Sequence, residues 1–259
     1  MACYWRLLND GVDAISETPP ERWNLQKFYA SRAGKPGKTQ SRWGGYVQGI
    51  ESFDPQLFGI SPREAAGMDP QQRMLLEVAF RALEDGGQPL ERVAGQAVSV
   101  FVGISSFDYA VAGLSPRDRG VIDAYSNTGG SSSIAANRIS YCFDLRGPSV
   151  SVDTACSSSL VAVHLACESL WRGEAADGVG WWCQRVFTTR FLRGFQPAWV
   201  LSPDGQRKSF DPRANGYVRS EGPACRRCSN RCRRPYATKI PSTRLFARRH
   251  SIKTDARRA

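Results

Sequence analysis

The stretch from Ser149 to Leu170 restricts the fold more than any other part of this 259-residue sequence. Residues 149–154 read as a strand, and a helix begins near Cys156 with almost no connection between the two. Leu160, Val163, His164, Cys167 and Leu170 recur at helical spacing along it. Another strand signal lies at Ala97-Val98-Ser99-Val100-Phe101-Val102-Gly103, an apolar run long enough for a buried strand. A helix is predicted from Asp69-Pro70: the aspartate caps, the proline suits the first helical position, and Met74, Leu75, Val78, Ala79, Ala82 and Leu83 share one face. Gly86-Gly87 ends it. Residues 4–8 read as a short amphipathic helix stopping at Asn9-Asp10-Gly11, and the Pro/Gly/Lys-rich stretch through Lys38 reads as a surface loop. Residues 126–133 read as a small-residue turn into a helix over 134–140. Strands alternating with helices give an α/β layered fold.

The turn that follows residues 149–154 is also where chemistry concentrates. Asp153-Thr154-Ala155-Cys156-Ser157-Ser158-Ser159 places a thiol among small residues at a helix mouth. There it meets the positive end of the helix dipole and unpaired backbone N–H groups, which favour thiolate and can hold an oxyanion. Cys156 is therefore a candidate nucleophile toward a thioester carbonyl. The other reading is a buried structural cysteine in an apolar helix, and spacing by itself leaves both open.

With 41% hydrophobic and 23% charged residues, the chain is neither disordered nor collagenous, and no apolar run approaches the roughly 18 residues of a membrane helix. No secretory signal is readable at the start, so a cytoplasmic location is expected, and with it no disulfides. The formal net charge of +11 is unevenly spread. Residues 1–177 carry 16 basic and 20 acidic side chains, whereas residues 178–259 carry 19 and 4. Residues 223–259 hold 12 basic residues against one acid, Asp255. The back of the chain is compositionally foreign to the front.

The segment Val152-Asp153-Thr154-Ala155-Cys156-Ser157-Ser158-Ser159-Leu160 resembles the nucleophile motif of β-ketoacyl synthases, specifically the ketosynthase domains of modular type I polyketide synthases. Met68-Asp69-Pro70-Gln71-Gln72-Arg73 and Gly216-Tyr217-Val218-Arg219-Ser220-Glu221-Gly222 carry the same resemblance, as do residues 5–15, 58–65, 136–141, 145–149 and 201–205. The resemblance implies a thiolase-like layered fold (α-β-α-β-α), here incomplete, and a homodimer in the intact family. It implies that Cys156 accepts an acyl chain from the phosphopantetheine thioester of an acyl carrier protein, with no cofactor bound directly. Decarboxylative condensation with a malonyl-type extender would follow, in polyketide or fatty-acid-like biosynthesis.

The family also uses two histidines, in motifs of His-Gly-Thr and Gly-His character more than a hundred residues beyond the cysteine. The only histidines here are His164 and His250, and 103 residues follow Cys156. His164 stands eight residues along the helix, about 12 Å at 1.5 Å per residue, beyond hydrogen-bond reach of the thiol. It reads as a helix-packing residue. The chain is thus expected to be the N-terminal part of a ketosynthase, able at most to take up an acyl group. The alternative is a non-catalytic truncated remnant that binds a partner.

The family pattern stops at Asp177 and resumes in register at Leu201. Trp181-Trp182-Cys183-Gln184 back-translates to TGG TGG TGY CAR, which one base later can encode Gly-Gly-Val-Asn, the family's own next motif. Cys225-Arg226-Arg227-Cys228-Ser229, shifted likewise, can encode an apolar strand. The reading is therefore four segments: 1–177 as ketosynthase sequence, 178–200 as a frameshifted stretch, 201–222 as ketosynthase sequence resumed, and 223–259 as an out-of-frame, disordered basic tail. That reading outweighs two others. Cys225, Cys228, Cys232 and His250 offer zinc-ligand types, but a single Cys-x-x-Cys pair is a loose signal, and no metal is expected. The tail has Tyr236 and Phe246 among its basic residues but no recognisable nucleic-acid-binding module, so no nucleic acid and no membrane are expected as partners.

Overall fold

The computed structural model describes residues 2–31, 37–113, 122–184, 200–229 and 245–247. They fall into two units, one drawn from residues 1–48 and 185–222, the other from residues 49–184 and 223–248.

The first unit holds α1 (Ala2–Asn9), β1 (Ser16–Glu17), α2 (Leu25–Phe28) and β2 (Trp43–Gly44), with β1 and β2 antiparallel. The stretch expected as a loop through Lys38 thus contains a short strand and a one-turn helix. Asn24 caps that helix by accepting the Lys27 N–H at 2.8 Å. Trp23 and Leu201 form a small core with Leu25, Phe28 and Tyr217 against it. A buried ion pair ties its two sequence segments together. Arg22 donates to Glu221 from Nε at 2.9 Å and from Nη2 at 3.1 Å, and Nη2 also reaches the Val47 carbonyl at 2.8 Å.

Tyr46 shares a 2.7 Å hydroxyl–hydroxyl hydrogen bond with Thr18. Burial pushes its phenol up from 10.0 to about 12, against the pull of that hydrogen bond. The fold therefore prefers the neutral phenol. Its contribution is complete below pH 10 and is lost as pH rises through 12, about 2–3 kcal/mol in all. Urea midpoints across that window should fall more steeply for the wild-type chain than for Tyr46→Phe, and parallel slopes would contradict the assignment.

The second unit contains α3 (Pro62–Gly67), α4 (Pro70–Asp85), α5 (Leu90–Val93), β3 (Val98–Ile104), α6 (Asp108–Gly113), α7 (Ala124–Gly130), α8 (Ser132–Cys142), β4 (Ser149–Val152), α9 (Ser158–Trp171), β5 (Asp177–Gln184), β6 (Gly222–Ser229) and β7 (Leu245–Ala247). The sheet order is β4-β3-β5-β6-β7. β3 pairs in parallel with β4 on one side, Val100 opposite Ser149, and with β5 on the other, Val98 opposite Asp177. β6 and β7 are antiparallel. All seven residues of β3 are buried, as its apolar run requires for a strand covered on both faces.

α4 forms as its sequence predicts. Asp69 accepts the Gln71 N–H at 2.8 Å, Pro70 opens the helix, and the six apolar residues expected on one face are all buried. α8 is locked against α3 and α4 by Arg138, which donates from Nε to Gln72 Oε1 at 2.9 Å and from Nη1 to Glu64.

Two expectations are corrected. Residues 126–130 lie in α7 rather than a turn. Asp123 accepts the N–H groups of Tyr125 and Ser126 while the Ser126 hydroxyl accepts the Asp123 N–H, a capping box strong enough to start a helix. The buried face of α9 is Ser158, Ala162, Ala166, Ser169 and Leu170, whereas Leu160 is 74% exposed and His164 is exposed. Small residues face inward because Phe101 of β3 packs directly on Ala162, Ala166 and Leu170.

In the basic tail, expected as disordered, residues 223–229 and 245–247 belong to β6 and β7, where main-chain pairing does not depend on side-chain polarity. The rest of the tail, with Cys232, Tyr236 and His250, lies outside the described residues.

Candidate active site

The connection from β4 to α9 is a two-residue link followed by a 3₁₀ turn, Ala155–Ser157, with Cys156 in its middle and exposed to solvent. The residues flanking the thiol in sequence are all small, so a substrate can approach it without displacing them. The turn is held by its own polar groups. Asp153 Oδ1 accepts the Ala155 N–H at 2.8 Å. Ser158 Oγ accepts the Thr154 N–H at 2.9 Å and donates to the Ala155 carbonyl at 2.8 Å. Ser157 Oγ donates back to the Thr154 carbonyl at 2.8 Å. The cap residue of α9, Ser157, makes no side-chain cap hydrogen bond. The first amides at this end are taken up by the turn itself, Ser157 N–H by the Thr154 carbonyl and Ser158 N–H by the Ala155 carbonyl, so the thiol meets the positive end of α9 as a helix dipole.

The turn sits close to β3 because β3 carries a glycine at that level. A Cβ on Gly103 would lie 2.7 Å from both the carbonyl carbon and oxygen of Ser158 and 2.9 Å from the Ser159 nitrogen. These are backbone atoms, so they cannot swing aside. Gly103→Ala is expected to displace the start of α9 and slow alkylation of Cys156 by at least about fivefold, the equivalent of the low end of roughly 1–3 kcal/mol of overpacking. Peptide-resolved labelling with iodoacetamide measures it, and wild-type reactivity in the variant would show that the turn tolerates the extra methyl group.

Other cysteines contrast with Cys156. Cys142, at the end of α8, is partly buried, and burial pushes its thiol up from 9.0 to about 11 despite the nearby Arg138 guanidinium. A thiol of that kind is inert at neutral pH. Cys225 and Cys228 fall on β6, while Cys232 and His250 lie outside the described residues, so the zinc-type set is not brought together by anything described. Among the described residues, no helix is long and apolar enough to cross a membrane.

The sequence marks Cys156 but not its supports. Asp153 and Ser158 stand in the same motif, yet nothing in their spacing shows that they fasten the turn. Gly103 carries a weak signal as a glycine within an otherwise bulky apolar run.

The family profile described as "Beta-ketoacyl synthase, N-terminal domain" matches residues 2–225. One phenolphthiocerol/phthiocerol polyketide synthase polypeptide of Mycobacterium tuberculosis is 45% identical over 219 residues, a match covering 85% of this chain and 12% of that protein. Another polypeptide of the same synthase and species is 44% identical over 220 residues, covering 85% of this chain and 14% of its own. Among solved structures, the ketosynthase from module 6 of the bacillaene synthase of Bacillus subtilis 168 superposes with a TM-score of 0.74 at 36% identity, covering 86% of this chain and 36% of that one. The oxazolomycin ketosynthase domain OzmH KS7 of Streptomyces albus JA3453 does so with a TM-score of 0.78 at 36% identity, covering 84% of this chain and 37% of that domain. The chain therefore spans well under half the length of each of these four proteins.

Proposed function

Because this chain belongs to the β-ketoacyl synthase family, as the N-terminal part of a polyketide-synthase ketosynthase with the thiolase-like fold, we propose that Cys156 is its acyl-accepting nucleophile. The observation that carries this is the exposed thiol held in a hydrogen-bonded turn at the start of α9. Cys156 Sγ, as thiolate, attacks the carbonyl carbon of an incoming thioester. The positive end of α9 stabilises the oxyanion of the tetrahedral intermediate electrostatically. Collapse breaks the original carbon–sulfur bond, releases the donor thiolate and leaves the acyl group on Sγ. The donor is read as a phosphopantetheine arm on an acyl carrier protein. Its slender thioester end suits an exposed thiol whose sequence neighbours are serines and alanine, and the protein itself needs no resident cofactor for this step.

Offered a short acyl thioester, the wild-type chain should gain one acyl group on the peptide containing Cys156, and Cys156→Ala should gain none there. An unmodified wild-type peptide would overturn the proposal and favour the non-catalytic reading.

For the homodimer expected of the family, one face supports the reading. β4 is an edge strand, Val150 on it is 41% exposed, and Tyr141 on α8 is 87% exposed. A strand at the edge of the described sheet, with an exposed apolar side chain on it, is a template for pairing with a second copy. The two irregular segments, 178–200 and 223–259, are read as products of a shifted reading frame. Resequencing codons 170–259 tests this: restoration of Gly-Gly-Val-Asn after residue 177 supports it, and an unchanged sequence removes it.

A further inference from the structure

The residue before the nucleophile holds a backbone conformation that its type does not favour. Ala155 has φ +53°, in the left-handed region where the Cβ of an L residue crowds the following carbonyl oxygen. Glycine occupies that region freely; alanine does so only where the surroundings hold it. Here both polar groups of Ala155 are held by side chains, the carbonyl also by the Ser158 N–H. Its N–H donates to Asp153 Oδ1 at 2.8 Å, and its carbonyl accepts from Ser158 Oγ at 2.8 Å. Ser158 is itself tied down. It is fully buried, its Oγ also accepts the Thr154 N–H at 2.9 Å, and its backbone lies against Gly103. The Ser157 hydroxyl, by contrast, turns back to the Thr154 carbonyl and hydroxyl, at 2.8 and 2.9 Å, and touches neither polar group of Ala155.

We propose that Asp153 and Ser158 are positioning residues that clamp Ala155 in its left-handed conformation and thereby present the Cys156 thiol to the incoming thioester. The proposal rests on the reading of Cys156 as nucleophile. Strain and clamp act as one device. Without the clamp, Ala155 relaxes toward an ordinary right-handed or extended conformation, the Ala155–Cys156 peptide rotates, and the thiol leaves the helix mouth. With glycine at position 155 the left-handed conformation no longer needs holding, so the clamp becomes dispensable. That dependence separates positioning from general structural support, because loss of ordinary packing would not be repaired by a glycine at a neighbouring position.

The experiment uses the full chain and two readouts: single-turnover acyl transfer from a synthetic N-acetylcysteamine thioester, and iodoacetamide labelling of the Cys156 peptide. Asp153→Ala and Ser158→Ala are each expected to slow acyl transfer by roughly 5- to 30-fold, the factor corresponding to the left-handed penalty of one L residue. Asp153→Asn, which keeps the Oδ1 acceptor, should stay close to wild type. Adding Ala155→Gly to either alanine variant should recover most of the lost rate. Asp153 is exposed, so its variants test the proposal without disturbing the core even where Ser158→Ala fails to fold. Wild-type rates in Asp153→Ala, or a folded Asp153→Ala/Ala155→Gly chain as slow as Asp153→Ala, would overturn the proposal. A wild-type chain that takes up no acyl group sinks the nucleophile assignment instead. The clamp still stands in that case when iodoacetamide labelling falls in the alanine variants and returns with glycine, and is overturned when labelling does not change.

Discussion

Glu221→Ala is expected to destabilise the unit that contains it by about 3–5 kcal/mol, the loss typical of removing one partner from a buried ion pair. The Glu221 side chain is 1% exposed and that of Arg22 is 11% exposed. The carboxylate takes both Arg22 contacts and also the Val47 N–H at 3.2 Å. With alanine in its place, the guanidinium keeps only the Val47 carbonyl, and a buried cation is left without its counter-charge. Replacing both partners together, as Arg22→Met with Glu221→Leu, removes the uncompensated charge and should recover much of the loss. Urea midpoints for the single and double variants decide it. A Glu221→Ala midpoint shift equivalent to less than about 1 kcal/mol would mean that water reaches the pair and screens it.

That ion pair also shows where sequence reading reaches its limit. Arg22 and Glu221 stand 199 positions apart, and no periodicity or local motif links them. Short-range signals are reliable where one residue type has one dominant local use. Asp69-Pro70 marks the start of α4, the six apolar residues mark its buried face, and the strand-to-helix junction around Cys156 falls within two residues of its expected place. Signals mislead where composition and context disagree. Ser126 to Gly130 resembles a turn because serine and glycine are poor helix formers, yet Asp123 and Ser126 supply the capping that outweighs propensity. On α9 the larger residues at helical spacing suggest the buried stripe. Close approach to Phe101 instead selects alanine and serine and leaves Leu160 and His164 outside. The site itself is half legible. Cys156 is visible as a thiol at a helix mouth, whereas the left-handed Ala155 is not, since alanine is a residue rarely associated with positive φ.

The same geometry sets a boundary on what this chain does after acylation. The purified 259-residue chain, carrying an acyl group on Cys156 and supplied with a malonyl thioester, is expected to form condensation product at least about 10²-fold more slowly than it acylates, the lower range of what a positioned acid–base group contributes. Carbon–carbon bond formation requires the carboxylate of the extender to leave as CO₂ and the resulting carbanion to be stabilised until it attacks the acyl carbonyl. The family resemblance implies two histidines for that work. His164 is exposed on α9, two turns beyond the thiol, about 12 Å along the axis at the helical rise, which is outside the reach of proton transfer. His250 is the only other histidine in the sequence. On the proposed reading acylation needs neither residue, because the incoming thioester meets the thiol directly and leaves as a thiolate. The two steps should therefore separate: a stable acyl-enzyme by intact-protein mass, with no β-ketoacyl thioester in the supernatant. Condensation at a rate comparable with acylation would place the missing acid–base groups within this chain, and His250→Ala would then be the first variant to make. Condensation that appears only when a second chain bearing the two histidine motifs is added would place them in trans, and would define this chain as an acyl-loading half whose partner completes the reaction.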